Sequence, residues 1–247
     1  MTQNGRRKVF ATIGLVAVVS IGVMATQAQR ALSRAPDRVY LPVVALGLSS
    51  DPSVNDCSHL SNGIKDSSEP QVGVSVAQWV AASSAVAQTL VASEQQARFN
   101  TPAGLPPTQE PPDEDEDGAM IFRPVVLTVS HLYKGDPAIT GYVVPKWGGT
   151  SALCPDYTYG REPEMMSASP GNNGVVFLYD PPGRWVTAPP VWYSQLKAVA
   201  DALGSNYKVM LPHNWYRYSG TNAVSTWSME TKTILQLTSE IEAAIGP

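Results

Sequence analysis

An acidic run with alternating aspartates is the first candidate for metal chemistry in this sequence. Asp113, Asp115 and Asp117, followed by Gly118, match the opening D-x-D-x-D-G of a calcium-binding loop. The twelfth position of such a loop requires a bidentate glutamate, and this chain has Pro124 there. Calcium binding is therefore one interpretation, and a solvated charged loop without any cofactor is the simpler one.

Nucleophilic and zinc-dependent hydrolysis need a histidine beside a nucleophile or a metal ion. The chain has three histidines, His59, His131 and His213, and they are far apart in the sequence. The G-x-S-x-G, H-E-x-x-H and phosphate-binding glycine-rich motifs are absent from the sequence. We therefore predict no catalytic residues. A pair of carboxylates for carbohydrate hydrolysis stays open, because the spacing of such a pair is spatial.

Aromatic residues are frequent in the C-terminal third of the chain, where they could stack on sugars or on a partner peptide. The alternative, which we expect, is that they fill the core, because a chain with only four phenylalanines needs other large apolar groups. The set comprises Trp185, Trp192, Tyr193, Trp215, Tyr216, Tyr218 and Trp227.

The first 29 residues have the order of an export signal. Arg6, Arg7 and Lys8 precede an apolar run from Val9 to Ala25, which is typical of a signal peptide or a signal anchor. The run has 17 residues, whereas a membrane-spanning helix needs about 20, so cleavage and retention both remain open. In either case we expect the rest of the chain to be extracytoplasmic, secreted or anchored in the membrane by its N-terminus.

Export affects two predictions: the net charge of the part of the chain that meets a partner, and the state of the two cysteines. Residues 1–30 hold four basic residues and no acidic one, so the remainder carries 13 basic and 21 acidic residues, a net charge of −8. This balance argues against nucleic acid as a partner. Cys57 and Cys154 both lie in the exported part, where disulfides persist. We predict that they are bonded to each other.

The exported part is predicted to contain a spacer and one domain. Residues 30–74 are rich in Ser, Asp, Asn, Pro and Gly and have the composition of a spacer or arm. A single domain is predicted over 75–247, with an acidic, proline-rich loop at 100–118. Its first helix is expected to begin with the capping-box pair Ser75 and Gln78.

The domain is expected to be mainly β (α+β), because short apolar or alternating segments are separated by turn residues. Strands are predicted at 85–91, 124–133, 139–144 and 174–179, and a hairpin at 215–226; for the alanine-rich first segment a longer helix is the alternative. Helices are predicted between Pro190 and Gly204, and from Ser239, which has Glu242 as capping partner, through Ile245.

The segment Val125–Asp136 resembles the V-x-x-V-y-K-G-d strand of netrin-like and tissue-inhibitor-of-metalloproteinase-like domains. In those domains a cysteine and a G-x-x-Y-x-v-F-L strand follow, and Cys154 and Gly171–Leu178 occupy comparable places here. The resemblance covers residues 75–180 and implies a small OB-like β-barrel with peripheral helices. Inhibition of a metallopeptidase through an N-terminal cysteine is not implied, because no cysteine precedes Cys57.

These patterns together predict an exported binding or interaction module that is not an enzyme. Its partner would be an unknown protein or glycan and, if the signal is not cleaved, the membrane. An extracytoplasmic hydrolase acting on carbohydrate or cell-envelope material is the first alternative, and a peptidase inhibitor is the second.

Overall fold

The computed structural model describes residues 57–60, 73–108, 119–160 and 168–246. The predicted signal or anchor at 1–29 and most of the predicted spacer at 30–74 lie outside these residues, as do the calcium candidates Asp113, Asp115 and Asp117. Among the helices that the structure describes, none is long and apolar enough to cross a membrane.

The described residues are mainly β, as predicted. The strands are β1 (Ala85–Glu94), β2 (Arg98–Phe99), β3 (Ile121–Lys134), β4 (Gly141–Trp147), β5 (Gly149–Ser151), β6 (Cys154–Tyr159), β7 (Asn173–Tyr179), β8 (Tyr207–Val209), β9 (Leu211–Ser219), β10 (Asn222–Ser225) and β11 (Thr231–Thr233). The helices are α1 (Val76–Ala82), α2 (Arg184–Thr187), α3 (Val191–Leu203) and α4 (Ile234–Ile245). The four strand predictions, the hairpin and the helix before Gly204 are therefore confirmed in position.

Most of the strands belong to one mixed sheet with the order β11-β10-β9-β7-β1-β3-β4-β8, and β2 adds to β3. The β4–β8 pair is parallel and the other pairs are antiparallel. β5 and β6 form a separate hairpin. The path of paired strands has two ends, β11 and β8, so the sheet is not closed into a barrel. The predicted barrel is corrected to an open sheet.

The sheet is nevertheless strongly curved, because one continuous segment pairs with both of its sides. Val209 in β8 pairs with Val143 in β4, and Leu211 in β9 pairs with Tyr179 in β7. In a flat sheet β4 and β7 would lie about 14 Å apart, three strand spacings of about 4.8 Å. Only Met210 separates β8 from β9, so the sheet must roll to bring β4 and β7 together.

The inside of the roll is filled by alternate residues of the paired strands, because successive strand side chains point to opposite faces. Tyr142 and Trp215 supply the bulk and are fully buried, whereas Ala85 and Ala87 leave room for them. The other buried members are Val91, Val125, Leu127, Val144, Ala168, Val176, Leu178 and Met210.

Helices cover two separate parts of the outside of the roll. The first, which we name the α1/α4 face, comprises the buried residues Val76, Trp79, Val80, Val86, Val175, Phe177, Tyr216, Ala223, Leu237 and Ile241. The second, which we name the α3 face, comprises Phe122, Val126, Val143, Trp192, Leu196, Val199, Ala200, Val209 and Leu211. The strands that lie under helices are therefore buried on both sides, which explains their continuous apolar runs.

Both helices of the α1/α4 face begin with a local capping box. The Ser75 side chain accepts from the Gln78 backbone, as predicted, and Thr233 and Gln236 form the same arrangement at the start of α4. The prediction that the last helix begins at Ser239 is wrong, because it begins five residues earlier at Ile234.

A disulfide joins Cys57 and Cys154, as predicted, across 97 residues of sequence. It fixes residues 57–60 against the end of the sheet, where Leu60 packs with Phe99, Ile121 and Tyr157. The predicted arm is therefore attached to the domain at this point.

Candidate functional site

An open cleft of about 380 Å³ lies between α3, β8 and the segment that connects β7 to α2. Its buried lining residues are Ala200 and Val209, which belong to the α3 face. This volume is at the lower end of the range of ligand pockets, about 300–1,000 Å³. The lining residues are Asp180, Pro181, Pro182, Trp185, Tyr193, Lys197, Ala200, Asp201, Tyr207, Lys208 and Val209.

The aromatic wall of the cleft is supported from inside by a tryptophan. Trp185 and Tyr193 are partly exposed, and their ring centroids lie 5.7 Å apart. Behind them Trp192 is buried and meets Trp185 edge-on, with ring centroids 5.0 Å apart. Trp147 also contacts Trp192 edge-on, with the same distance between the ring centroids. Edge-to-face packing of this kind holds rings in fixed orientations, so the wall is rigid before any ligand arrives.

Two ion pairs lie beside the aromatic wall. Lys208 Nζ is 2.6 Å from Asp180 Oδ1, and Lys197 Nζ is 2.7 Å from Asp201 Oδ2. All four side chains are about half exposed or more, at 47% to 64% of their surface. The hydrogen bond from Lys208 holds the pKa of Asp180 below its ordinary value. The charges of the cleft therefore cancel in pairs and stay accessible to solvent.

The helix that carries Tyr193 is positioned by a distant loop. Pro190 precedes α3 and gives it no side-chain cap. The buried Asn100 takes this role, because its Oδ1 accepts the backbone N–H of Trp192 at 2.8 Å. The side chain of Gln195 also donates to the carbonyl of Thr101 at 2.7 Å. A segment more than 90 residues earlier thus satisfies one of the free N–H groups at the start of this helix and anchors one of its side chains.

A glycine makes room for the third aromatic residue of the cleft, Tyr207. Gly141 pairs with Tyr207 in the parallel ladder. A Cβ at position 141 would come within 2.2 Å of the Tyr207 ring and 2.8 Å of the Leu127 carbonyl oxygen. The Tyr207 ring therefore occupies the space that any other residue at 141 would need.

The structure divides the aromatic residues that the sequence singled out. Trp192, Trp215 and Tyr216 are buried in the core, as expected. Tyr218 and Trp227 are partly buried and pack against the α1/α4 face. Trp185 and Tyr193 line the cleft.

The sequence reasoning missed several residues of the cleft. These are Tyr207 and the four charged side chains. Tyr193, Lys197 and Asp201 follow one another at intervals of four residues, and this spacing places them on one side of a helix. It is the signal that could have identified the part of the site that lies on α3.

The three histidines lie on different elements and none lines the cleft. His59 Nε2 is 2.9 Å from the Pro107 carbonyl oxygen, and His131 is exposed on β3. His213 is partly buried with rings on two sides, Trp79 and Tyr179, and burial lowers its pKa. In the part of the chain that the structure describes, no group of three or more His, Cys, Asp or Glu side chains could hold a metal ion.

The side chains of a second cluster of charges are engaged in ion pairs and hydrogen bonds within the domain. Glu94 Oε1 lies 3.0 Å from Lys146 Nζ and 3.5 Å from Arg123 Nε. The lysine also donates to the Ala168 carbonyl, and the arginine donates to two backbone carbonyls after β4. These groups connect strands and leave little capacity for a ligand.

The cleft combines aromatic rings with paired charges. It offers ring faces, hydroxyl groups and exposed charges, but its carboxylates are neither buried nor adjacent to an unpaired nucleophile in the described lining.

No family model matches this chain, and neither a curated protein nor a solved structure matches it.

Proposed function

We propose that this chain is an extracytoplasmic binding module, not an enzyme, and that its ligand binds in the cleft beside α3. The observation that carries the proposal is the preformed aromatic wall, in which partly exposed Trp185 and Tyr193 are held by buried Trp192. A rigid ring surface loses little conformational entropy when a ligand binds. Such surfaces are typical of recognition sites.

Extracytoplasmic location is supported by the disulfide between Cys57 and Cys154. Disulfides are stable in oxidising compartments and rare in the cytoplasm. The basic residues and the apolar run at the N-terminus are the second support.

Binding without catalysis is supported by the state of the carboxylates in the cleft. A glycoside hydrolase places two carboxyl groups on either side of the scissile bond, and one of them has a raised pKa. Here the pKa of Asp180 is lowered, and Asp201 is 64% exposed and paired with Lys197. Neither the hydrolase nor the peptidase inhibitor gains support from the described residues.

The order of strand pairing supports a distant relationship with OB-type domains. The pairs β7 with β1, β1 with β3, β3 with β4 and β4 with β8 follow one another in an open path, and β9, which continues from β8 after Met210, pairs with β7. OB-type domains are five-stranded, partly open barrels that bind ligands through their loops. The cleft lies in the connection between β7 and β8, at one edge of this arrangement.

The experiment is a binding screen of the exported protein on arrays of glycans and peptides. We expect at least one ligand to bind, to be lost in Trp185→Ala and Tyr193→Ala, and to be kept in Leu90→Ala. Leu90 is an exposed apolar residue on β1, outside the cleft lining. Mass spectrometry of the recovered ligand should show it intact. Cleavage of the ligand, or binding that ignores both aromatic variants, would contradict the proposal.

A further inference from the structure

We infer that the ligand of this cleft is an uncharged oligosaccharide. The inference rests on the proposed function, since it names the ligand class for the same site. It follows from three properties of the lining: the ring faces, the neutralised charges and the absence of free backbone donors on one wall.

The ring faces suit the flat side of a sugar ring. Aromatic rings carry negative charge on their faces and therefore attract groups with a positive edge. The axial C–H groups of a pyranose present such an edge. Trp185 and Tyr193 are tilted by 47° to each other, so they form an angled surface that two neighbouring sugar units of a bent chain can contact.

The charged side chains suit hydroxyl groups. A carboxylate only accepts hydrogen bonds and an ammonium group only donates them, whereas a hydroxyl group does both. Each ion pair, Asp180 with Lys208 and Lys197 with Asp201, can thus hold neighbouring hydroxyls without separating. Because all four groups are exposed, a hydroxyl reaches them at little desolvation cost.

A charged ligand meets no net charge in the cleft. An anionic chain would have to compete with Asp180 and Asp201 for the lysines, and a cationic chain would have to compete with the lysines for the aspartates. The protein as a whole is acidic, with a net charge of −4, so it does not attract anionic polymers over distance. Nucleic acids and acidic glycans are disfavoured on both grounds.

On the wall that follows β7 and along the body of α3, a peptide in extended conformation finds few backbone donors. Peptides that add to a sheet edge are held by main-chain hydrogen bonds. On the wall that follows β7, Pro181 and Pro182 have no N–H group to donate. The N–H of Asp180 is already donated to Ser84 Oγ at 3.3 Å, and the N–H groups in the body of α3 are used within the helix.

The experiment is a calorimetric titration of the exported protein with four probes. They are tetramers of N-acetylglucosamine, of glucose and of galacturonic acid, and a proline-rich peptide. We expect a neutral tetramer to bind at least tenfold more tightly than the acidic tetramer. Trp185→Ala should weaken the neutral tetramer at least tenfold. Tyr193→Phe should weaken it less, and the matched control Tyr133→Phe, which removes a hydroxyl outside the cleft lining, should leave it unchanged.

A charge variant tests the role of the ion pairs. Asp201→Asn leaves Lys197 without its partner and gives the cleft one positive charge, so the acidic tetramer should gain roughly threefold to tenfold in affinity. The inference is overturned if the acidic tetramer binds wild type as tightly as a neutral one. It is also overturned if only the peptide binds or if no neutral tetramer binds. If a different probe binds and Trp185→Ala abolishes that binding, the inference fails but the cleft remains the site. If no binding depends on Trp185, the proposed function fails as well.

Discussion

The two helix-covered faces of the sheet are built in different ways. On the α1/α4 face each helix has its own capping box, formed by residues three apart in sequence. On the α3 face the helix is capped by Asn100 from a distant loop, and its aromatic packing continues to the surface at Trp185. The first face is a local and self-contained construction. The second depends on contacts between segments that are distant in the sequence, and the cleft described above lies beside it.

The largest expected effects come from the buried tryptophan of each face. Trp79 and Trp192 are almost equally buried, at 5% and 7% exposure. Replacing either with alanine should lower the free energy of unfolding by about 3–5 kcal/mol, measured by urea denaturation. The milder Trp79→Phe and Trp192→Phe should both fold, and only Trp192→Phe should weaken ligand binding. Equal loss of binding in both would remove the distinction between the faces.

The N-terminal caps of α1 and α3 should differ in the same way as the two tryptophans, with smaller effects on stability and ligand binding. Ser75→Ala removes an exposed local cap and should cost about 0.5–1 kcal/mol of unfolding free energy. Asn100→Ala removes a buried acceptor and leaves the Trp192 N–H without a partner, which should cost about 1–3 kcal/mol. Ligand affinity should fall in Asn100→Ala alone, and Asn100→Asp should restore part of it because a carboxylate also accepts the bond. An unchanged affinity in Asn100→Ala would show that the distant cap does not position the cleft.

The two regions should also respond to acid in different pH ranges. The pKa of His213 is lowered by burial, so the folded protein favours its neutral form. Its contribution is present above the ordinary pKa of about 6.5 and is lost as pH falls below that value. The pKa of Asp180 is lowered by Lys208, so this contribution is lost only below the ordinary aspartate pKa of about 3.9.

Urea denaturation at several pH values measures this difference. We expect His213→Asn to flatten the loss of stability between pH 6.5 and pH 5, by less than the effect of either cap. Asp180→Asn should change the profile only below pH 4. If the unfolding free energy changes equally in wild type and in His213→Asn between pH 6.5 and pH 5, His213 is not the group that causes this loss of stability.

The smallest effect concerns the ion pair on α3. Lys197 precedes Asp201 by one turn, and this order is less favourable in a helix than the reverse, because the aspartate lies near the C-terminal end of the helix dipole. The double exchange K197D/D201K should therefore stabilise the protein by about 0.2–0.5 kcal/mol in thermal denaturation. It keeps the cleft neutral and should retain ligand binding, whereas K197D alone should weaken both stability and binding. A destabilised double variant would show that the pair has contacts beyond each other.

Local patterns in the sequence predicted much of the fold. An alternating pattern predicted β3, a continuous apolar run predicted β7, and Pro190 with Gly204 predicted the limits of α3. The start of α4 was missed because two capping boxes compete, at Thr233 and at Ser239. The buried residues Leu237 and Ile241 lie beyond the first box, and their burial decides between the two.

The curvature of the sheet and the cleft had no local signal. The sheet curves because Val209 pairs with β4 while Leu211, two residues later, pairs with β7. This division of one segment between two partner strands is a tertiary property. The cleft is supported by contacts between distant parts of the sequence, Asn100 with Trp192 and Gly141 with Tyr207, which form only in the folded chain. Tyr207 and Lys208 line the cleft, but their neighbours in the sequence do not distinguish them from ordinary surface residues.

The most direct test of the central claim is a nuclear magnetic resonance titration that observes the indole N–H groups of the six tryptophans. The probe is the N-acetylglucosamine tetramer or, if the array selects another ligand, that ligand. We expect the signal of Trp185 to shift most, that of Trp192 to shift less, and those of Trp79 and Trp215 to stay in place. A saturable shift confined to Trp79, or binding in which Trp185 does not move, would contradict the assignment of the cleft.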